Sequence, residues 1–539
     1  MAKTTEVAEG AAGGSKWAQR FFVNVVWGWV GVVASFLTGF FLSPYIVRKL
    51  GDQRYGIWAL TFAFIEYVNL FDFGFKTACV NLISKARARE DDQKVNEIVN
   101  TSLFYFIAIA FVVFAIIWTI SGRVSLFFKI GPAYTSEFIV LIRTISLAWV
   151  CALAMNGFVA IVEAFQRFRQ QSQYFVVTLI IRSTGCVLML YLGYGLVAMG
   201  VVITLAYMLN HALTLMVAKQ AFPAMRISPR LVRRSAWKEM ASYGVHGFVA
   251  YLGQSSVMQG PPILIGHLLP SAFVGYYALP SRLMQYLVEL VTRIASVTMP
   301  NTAELLALGL RGQIVKMAIY LNRYCFALFV PFTIFLLIYG RALIQVWVGP
   351  EFAAQAAPLL LPLVVATSFA TAGQYNSIGI LYGIAKHDMY AKSLIVEAVC
   401  LLGGIAAVTP HYGITGAAWV TSVTMILNRG FFTPLLLCRR LELNVFAYMS
   451  SIYTRPLILA LPSVALGIWM KSSWLPGGNW RQVIVALAVL AVQYYAVYLF
   501  AGIEMEHRRT LLEWVSRYLR VIRTASLAAL RRNARVGHG

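Results

Sequence analysis

Long apolar runs separated by short polar connectors fill almost the whole chain. A helix needs about 20 mostly apolar residues to cross the hydrocarbon core of a membrane. On that rule the sequence predicts about fourteen membrane-spanning helices, and Pro261, Pro262 and Pro270 cut the long apolar stretch 240–300. The predicted spans lie near residues 22–47, 55–78, 98–121, 138–162, 173–193, 196–217, 240–267, 273–300, 319–340, 357–383, 391–409, 414–437, 455–471 and 482–502.

The polar connectors differ in charge from one side of these spans to the other. If the N-terminus lies in the cytoplasm, the cytoplasmic connectors hold the Lys and Arg clusters near 85–94, 167–169 and 219–238, together with the basic tail. The outer connectors are shorter and hold few basic residues. Because cytoplasmic loops carry an excess of Lys and Arg, the pattern predicts a multi-pass protein with both termini in the cytoplasm.

The composition agrees with a membrane protein. Hydrophobic residues make up 59% of the chain and charged residues 12%, whereas soluble domains carry about 25% charged residues. A water-soluble enzyme, a disordered chain and a secreted disulfide scaffold are therefore excluded. The formal net charge of +24 follows from the basic connectors, so no nucleic-acid partner is expected. Six scattered Cys without a His cluster predict no metal site, disulfide framework or cofactor.

An internal repeat divides the first twelve spans. Gly56-Ile57-Trp58-Ala59-Leu60 recurs as Gly275-Tyr276-Tyr277-Ala278-Leu279, and Tyr194-Gly195-Leu196 recurs as Tyr412-Gly413-Ile414; Arg167 aligns with Lys386. The offset is 218 or 219 residues, and each unit holds six spans, so both copies have the same orientation in the membrane. Parallel repeats of this kind place a substrate cavity between two lobes. The predicted fold is an all-α integral membrane protein with two six-helix lobes and two extra C-terminal helices.

The predicted spans, the basic connectors and the repeat divide the chain into six segments. Residues 512–522 repeat apolar side chains at helical spacing among arginines, which is typical of an amphipathic helix on an anionic leaflet. The segments are a cytoplasmic N-terminal segment (1–20), a first lobe (21–217), a basic cytoplasmic linker (218–239), a second lobe (240–437), spans thirteen and fourteen (438–502) and a basic amphipathic tail (503–539).

Charged side chains inside the spans are the candidate functional residues, because such residues are costly and face a cavity or a partner. Arg282 and Arg182 lie about nine residues into their spans, roughly 13 Å deep. Two interpretations stay open, an ion network that locks the lobes and a cationic cavity for an anionic ligand. The cavity interpretation assigns substrate binding to Arg282, Arg182, Arg143, Arg293 and Arg429, and ion coupling or tuning of the cavity to Glu66, Asp72, Glu289 and Glu397.

Pro44, Gly260-Pro261-Pro262 and Gly403-Gly404 lie inside predicted spans one, seven and eleven. Rocking-lobe transporters use broken helices at corresponding places in their two halves. These residues therefore predict bends, although membrane helices also tolerate ordinary proline kinks.

Several ordered motifs resemble a known family. They are Pro44, Leu50-Gly51, Tyr55-Gly56 with Trp58, Leu70-Phe71-Asp72-Phe73-Gly74 before Ala78, and in the second lobe Leu268-Leu269, Val274-Gly275-Tyr276 and Ala278 to Arg282-Leu283. Over most of residues 20–440 the chain resembles the Wzx-type oligosaccharide flippases. These belong to the MOP superfamily, together with the MATE exporters and the lipid II flippases.

The resemblance implies two six-helix lobes, two extra helices and a cationic central cavity. It also implies transfer of an undecaprenyl-diphosphate oligosaccharide across the bacterial cytoplasmic membrane by alternating access, for the export of envelope polysaccharides. Polysaccharide polymerase and export proteins are then expected partners. Only Asp72 and Arg282 are carried over as motif matches, and the family pattern assigns neither of them a role.

Two other classes of membrane protein are alternatives to this interpretation. A MATE-like, cation-coupled exporter of cationic drugs requires acidic residues in the cavity, whereas here the deep arginines match or outnumber the deep carboxylates. A membrane enzyme requires a sizeable outer loop with catalytic groups, and the longest outer connectors, near 122–137 and 341–356, are short and lack a clustered acid/base pair. The sequence therefore predicts a transporter and no enzyme, while a structural scaffold stays open.

Overall fold

A computed structural model describes residues 2–295, 298–384, 386, 388–509 and 513. It includes all their side chains except those of residues 2–26, 28, 29, 243–247, 249, 250, 290 and 293–295. The predicted amphipathic helix at 512–522 lies outside this part of the chain, apart from Glu513. The helices are α1 (Ala2–Glu66), α2 (Phe75–Ala88), α3 (Asp92–Phe127), α4 (Pro132–Ala154), α5 (Asn156–Ala164), α6 (Phe168–Tyr191), α7 (Leu196–Ala221), α8 (Arg234–Leu268), α9 (Ser271–Ala295), α10 (Thr298–Ala307), α11 (Arg311–Trp347), α12 (Pro350–Ala356), α13 (Leu360–Ala366), α14 (Tyr375–Gly383), α15 (Asp388–Met425), α16 (Thr433–Leu441), α17 (Val445–Ser473) and α18 (Trp480–Val497).

The helices account for the fourteen predicted spans. Ten segments of the described chain are long and apolar enough to cross a membrane. Asp388–Leu441 contains two predicted spans, and Val30–Asp72 covers most of two others. The more polar helices α8 and α9 supply the remaining two, because they coincide with the predicted spans at 240–267 and 273–300. The all-α fold is thus confirmed, and the described residues form no strand.

Glycines in the left-handed region mark the turns inside the two longest helices. Gly51 has φ 78° within α1, and Gly413 has φ 60° within α15. Only glycine adopts this backbone region at no steric cost. The chain reverses there with almost no loop, so the apolar runs on both sides can pair as antiparallel spans.

A third break interrupts the second span within the membrane. The helix tightens to a 3₁₀ segment at Tyr67–Asp72, and then Phe73 and Gly74 both take left-handed backbone angles, with φ 48° and 75°. Helix α2 begins directly afterwards. By contrast, the helices continue through Pro44, Pro261-Pro262 and Gly403-Gly404. The predicted bends are therefore not breaks in the helical backbone, and the first lobe is interrupted at its Asp72 motif instead.

Helices α1 to α7 pack together as the first lobe, and α8 to α16 form the second. The appended helices α17 and α18 pack on α11 of the second lobe. We call the end of the bundle at which α1 breaks the Gly51 end. The opposite end, where α2 finishes at Lys85 and Arg87, is called the basic end.

The linker between the lobes is fixed to the first lobe by side chains of α3. Asn96 accepts a hydrogen bond from the backbone N–H of Arg226 at 2.7 Å and donates to the carbonyl of Ala224 at 3.1 Å. One turn later, Asn100 donates to the carbonyl of Arg226 at 2.7 Å and accepts from the N–H of Ser228 at 2.8 Å. Two asparagines spaced i, i+4 therefore satisfy the linker backbone as a neighbouring strand would.

The first turns of α8 also pack on the first lobe. Met240 Sδ lies 3.2 Å from Cys79 Sγ, and Glu239 pairs with Lys94 at 3.0 Å. Farther along α8, Gly253 packs closely on Leu394 and Gly260 on Leu402, both in α15. The predicted boundary between linker and second lobe, at 239/240, stays a prediction, but α8 itself contacts both lobes.

Candidate functional site

The two lobes meet at the Gly51 end through a pair of repeat-related glycines. A Cβ placed on Gly56 would overlap the carbonyl oxygen of Ser271. A Cβ on Gly275 would lie 3.3 Å from the backbone nitrogen of Gly56. The second span and α9 therefore cross with their backbones in contact, which only glycine permits at these positions.

Polar and aromatic contacts surround this crossing. The hydroxyl of Tyr276 donates to Asp52 Oδ2 at 2.6 Å. The indole Nε1 of Trp347 donates to the carbonyl of Phe40 at 2.7 Å, and the two rings stack 4.6 Å apart. Ring edges of Tyr276 also meet Phe352. The Gly51 end is therefore closed by contacts between the lobes.

Arg282 lies on α9 below this closed end. Its Nη1 donates to Gln285 Oε1 at 3.0 Å, and its guanidinium lies 5.0 Å from the centre of the Tyr286 ring. Tyr286 in turn packs against Phe36, with its hydroxyl over Gly39 of the first lobe. The Arg282 side chain is accessible to water, although protein atoms surround it on most sides. An open but deep position is expected for a side chain on a cavity wall.

The charges near Arg282 come from both lobes. Glu289 of α9 and Glu66 of the first lobe interact with it electrostatically. Among the described side chains, however, no carboxylate lies within ion-pair distance of the Arg282 guanidinium, whose direct partners are Gln285 and Tyr286. Its positive charge is thus not cancelled by contact. The side chain of Arg293 lies outside the described part of the chain, so its position relative to Arg282 stays a prediction.

Arg182 belongs to an aromatic wall in the first lobe. Its Nη1 donates to the hydroxyl of Tyr207 at 3.1 Å. The Tyr207 ring packs 5.0 Å from Trp149, and Trp149 packs 5.6 Å from Phe62, which continues to Trp58 at 4.8 Å. The four aromatic rings of this wall, Tyr207, Trp149, Phe62 and Trp58, are all half-buried.

Glu66 lies beside the aromatic wall, and Asp72 lies at the helix break. Glu66 Oε1 accepts from Asn69 at 2.8 Å, and the carboxylate also interacts with Trp149. Asp72 accepts from the backbone N–H of Lys76 at 3.1 Å and from Asn156 at 3.4 Å. Asp72 therefore caps the start of α2, where the helix dipole favours a negative charge. Lys76 itself pairs with Glu163 at 2.8 Å.

Three candidate residues have partners within their own lobe and are not brought to Arg282. Arg143 donates to Ser121 at 2.9 Å and to the carbonyl of Trp118, both on α3. Arg429 pairs with Glu397 at 3.1 Å inside the second lobe. Glu397 also accepts from Asn428 at 2.6 Å, and it is only 3% exposed.

Arg429 lies in a segment where the helix type changes locally. Residues Ile426–Phe432 form a π-helical segment between α15 and α16. The extra residue per turn in such segments shifts the faces of a helix, and π segments occur often at functional sites. Hydropathy carries no signal for this insertion. The sequence analysis also missed the aromatic wall and the two Asn anchors of the linker, because hydropathy does not indicate which side chains meet across helices.

Comparison with known families and structures agrees with this architecture. The pattern of the polysaccharide biosynthesis protein family matches residues 21–306. No curated protein matches the chain.

Several solved structures share the fold. An inward-facing multidrug resistance MATE family transporter of the MOP superfamily has a TM-score of 0.62 at 13% identity, covering 76% of this chain and 95% of that one. The lipid II flippase MurJ, in an inward closed conformation, has a TM-score of 0.59 at 12% identity, covering 88% and 100%. A MOP superfamily transporter from Pyrococcus furiosus, described as having a binding pocket of reverse polarity, has a TM-score of 0.54 at 13% identity, covering 78% and 95%.

Proposed function

Because the chain belongs to the polysaccharide biosynthesis protein family and has the MOP transporter fold, we propose that it is a lipid-linked oligosaccharide flippase. It moves an undecaprenyl-diphosphate-linked glycan across the bacterial cytoplasmic membrane by alternating access. The lipid II flippase MurJ, which is named for a lipid-linked cargo, shares the fold over 88% of this chain. The likeness in fold supports the class of transporter, and the charges of Arg282 and Arg182 support an anionic cargo.

The observation that carries this proposal is the state of Arg282. Its guanidinium is deep, open and in contact with neutral groups, so it can still form bidentate hydrogen bonds to phosphate oxygens. A diphosphate loses its hydration when it enters the membrane, and a fixed guanidinium replaces part of that hydration. Arg182 offers a second uncompensated cation in the first lobe. A cationic drug would instead be repelled by both.

The aromatic wall suits the glycan. The faces of Tyr207, Trp149, Phe62 and Trp58 are apolar, and sugar rings present C–H faces that pack on aromatic rings. The hydroxyls at the rim of a sugar can bond to polar neighbours such as Glu66 and Asn69. The prenyl tail can remain in the bilayer during this contact.

The same proposal assigns a direction. The basic end faces the cytoplasm because cytoplasmic loops carry the excess of Lys and Arg, which places both termini there. The closed Gly51 end then faces outward, and the cargo enters from the cytoplasmic side. Polysaccharide polymerase and export proteins are the expected partners on the outer side, and the basic tail would contact anionic lipids of the inner leaflet.

For ion coupling we favour Glu66, Asp72 and Glu289 over Glu397. Glu397 already has a guanidinium as its counter-ion, at 3.1 Å. A proton or sodium ion would have to displace Arg429 from that site. The other three carboxylates have no guanidinium or ammonium partner within ion-pair distance among the described side chains.

Flipping in proteoliposomes tests the function directly. The purified full chain is reconstituted with a fluorescent polyprenyl-diphosphate oligosaccharide, and the fraction that reaches the outer leaflet is measured over time. We expect Arg282→Gln to reduce the initial rate at least about tenfold, which corresponds to one lost charge-assisted hydrogen bond. The matched control is Arg311→Gln, which removes an exposed arginine at the start of α11 and should leave the rate unchanged.

One result would overturn the assignment of the cargo site, and another would overturn the proposed function. Equal rates for wild type and Arg282→Gln would remove Arg282 from the cargo site. An inactive wild type that instead exports a cationic dye would replace the flippase with a MATE-like exporter.

A further inference from the structure

An apolar groove runs along α3 at the Gly51 end. Its volume is about 560 Å³, and it lies between α3, the 3₁₀ segment of the second span and α8. Its walls are formed by aliphatic and aromatic side chains from these three elements, with the Tyr67 hydroxyl as a further polar group. The charged lining residue is Arg123, which lies near the last turn of α3.

The size of the groove matches one leaflet of a membrane. Its lining on α3 extends inward from Arg123 to Val113, about 15 Å at 1.5 Å per residue. The hydrocarbon core is about 30 Å thick, so one leaflet spans roughly 15 Å. A lipid chain with its headgroup at the membrane surface could therefore follow the groove from Arg123 inward.

Arg123 differs from three other arginines of the first lobe, Arg87, Arg143 and Arg182, each of which has a hydrogen-bond partner. Arg143 bonds to Ser121, Arg182 to Tyr207 and Arg87 to the carbonyl of Ala164. Arg123 is exposed, and no hydrogen-bond or ion-pair partner is found for it among the described residues. An exposed guanidinium at the mouth of an apolar groove matches the two parts of a phospholipid, an anionic phosphate and an apolar chain.

The internal repeat identifies the surface of the second lobe that corresponds to this groove. Gly122-Arg123 and Gly131-Pro132 recur at an offset of 218 as Gly340-Arg341 and Gly349-Pro350. Helix α11 is therefore the counterpart of α3, and Ile338 and Ala342 correspond to the groove residues Ile120 and Val124.

In the second lobe, protein covers these counterpart residues. Gly467 of α17 packs on Ile338, and Gly477, just before α18, packs on Ala342. The exposure of the two faces differs at Ile116 of α3, which is 44% exposed, whereas its counterpart Ile334 of α11 is 5% exposed. Ile120 and Ile338 are both half-buried. The chain supplies two helices to one lobe and leaves the same face open on the other.

We propose that this groove is a binding site for an anionic glycerophospholipid, with one acyl chain along α3 and the headgroup phosphate on Arg123. The lipid fills, on the first lobe, the place that α17 and α18 fill on the second. The inference concerns a resident membrane lipid, so it holds whether or not an oligosaccharide is the cargo.

Photo-crosslinking tests the site in the full-length protein. The chain is placed in nanodiscs that contain phosphatidylglycerol with a diazirine in one acyl chain, and the labelled peptides are identified by mass spectrometry. We expect labelling of residues 113–128 in the wild type. Arg123→Gln should lower the labelling about tenfold through the lost contact to phosphate, whereas Arg341→Gln, the repeat-related control, should leave it unchanged.

A second variant tests the groove without changing charge. Ile116→Trp fills it from an exposed lining position and should lower the labelling as much as Arg123→Gln does. Each variant must elute and unfold as the wild type does. Equal labelling in the wild type, Arg123→Gln and Ile116→Trp would overturn the proposal. Labelling by a diazirine polyprenyl phosphate but not by phosphatidylglycerol would also overturn it, in favour of the tail of the cargo.

Discussion

Arg429 in the second lobe and Arg182 in the first lie in spans of the same membrane bundle but have different surroundings. Arg429 is closed off by Glu397, with Asn428 and Gln254 completing the hydrogen bonds. Arg182 rests on the hydroxyl and ring of Tyr207, a neutral partner at the edge of half-buried aromatic rings. The charge of Arg429 is thus cancelled inside the second lobe, whereas Arg182 in the first lobe remains available to a ligand.

The same division appears on the outer surface of the lobes. Helix α11 is covered by α17 and α18, while α3 keeps an open groove. A buried ion pair contributes little net stability, yet removal of one partner is severe because the other charge stays buried. The cations without a counter-ion contact, Arg182 and Arg282, lie in the first lobe and on α9.

The largest expected effect is on the ion pair of the second lobe. Glu397→Gln leaves Arg429 buried without a counter-ion and should lower the free energy of unfolding by about 3–5 kcal/mol. Arg182→Gln loses a hydrogen bond from a half-exposed guanidinium and should cost no more than about 1.5 kcal/mol. Chemical unfolding of the purified variants in detergent measures both. The double variant Glu397→Gln/Arg429→Gln should recover part of the loss, and equal costs for the two single variants would contradict the contrast between the lobes.

The second effect concerns the crossing of Gly56 and Gly275, where the same substitution should cost more in the first lobe than in the second. Gly56→Ala drives a methyl group into the Ser271 carbonyl, and overpacking of this kind costs about 1–3 kcal/mol, so the closed Gly51 end should lose population. Gly275→Ala meets the ring edge of Tyr55 at 2.8 Å, and a ring can move, so its effect should be smaller. Spin labels at Lys129 and Glu351, one on each lobe, report the distance across this end. An unchanged distance distribution in Gly56→Ala would show that other contacts hold the end closed.

The smallest effect concerns the linker, which is bonded to the first lobe. Asn100→Ala removes one hydrogen bond to the carbonyl of Arg226 and one from the N–H of Ser228, worth together about 1–2 kcal/mol. Amide hydrogen exchange at residues 226–228 should become about tenfold faster. Asn301→Ala, which alters an exposed asparagine on α10, serves as the control. If exchange were unaffected in Asn100→Ala, the linker would be held by other contacts.

The fold was predictable because a membrane imposes one simple rule on every span. Apolar length alone gave fourteen segments, and the repeated Gly56 and Gly275 motifs gave two lobes. The two glycines also proved to touch each other. No hydropathy pattern could indicate that contact, because it depends on how the lobes are docked.

The candidate site was only partly predictable. Depth in the membrane identified Arg282 and Arg182 but did not separate them from Arg429, because depth does not reveal which partner a charge has. Arg429 pairs with Glu397 from within a π-helical segment. The second span breaks at Phe73-Gly74, where both residues have left-handed backbone angles. Both are local backbone choices that are stabilised by packing between spans, and a one-dimensional pattern does not record them.

The shared helix α8 sets how the lobes can move. Its first turns are fixed to α2 and α3 through Met240 and Glu239, and its later turns are seated on α15 through Gly253 and Gly260. A rotation of one lobe against the other must therefore be taken up as curvature of one continuous rod, over the roughly 20 Å between Met240 and Gly253. Transport in this protein would therefore bend helix α8 elastically and would not rotate the lobes about a flexible hinge.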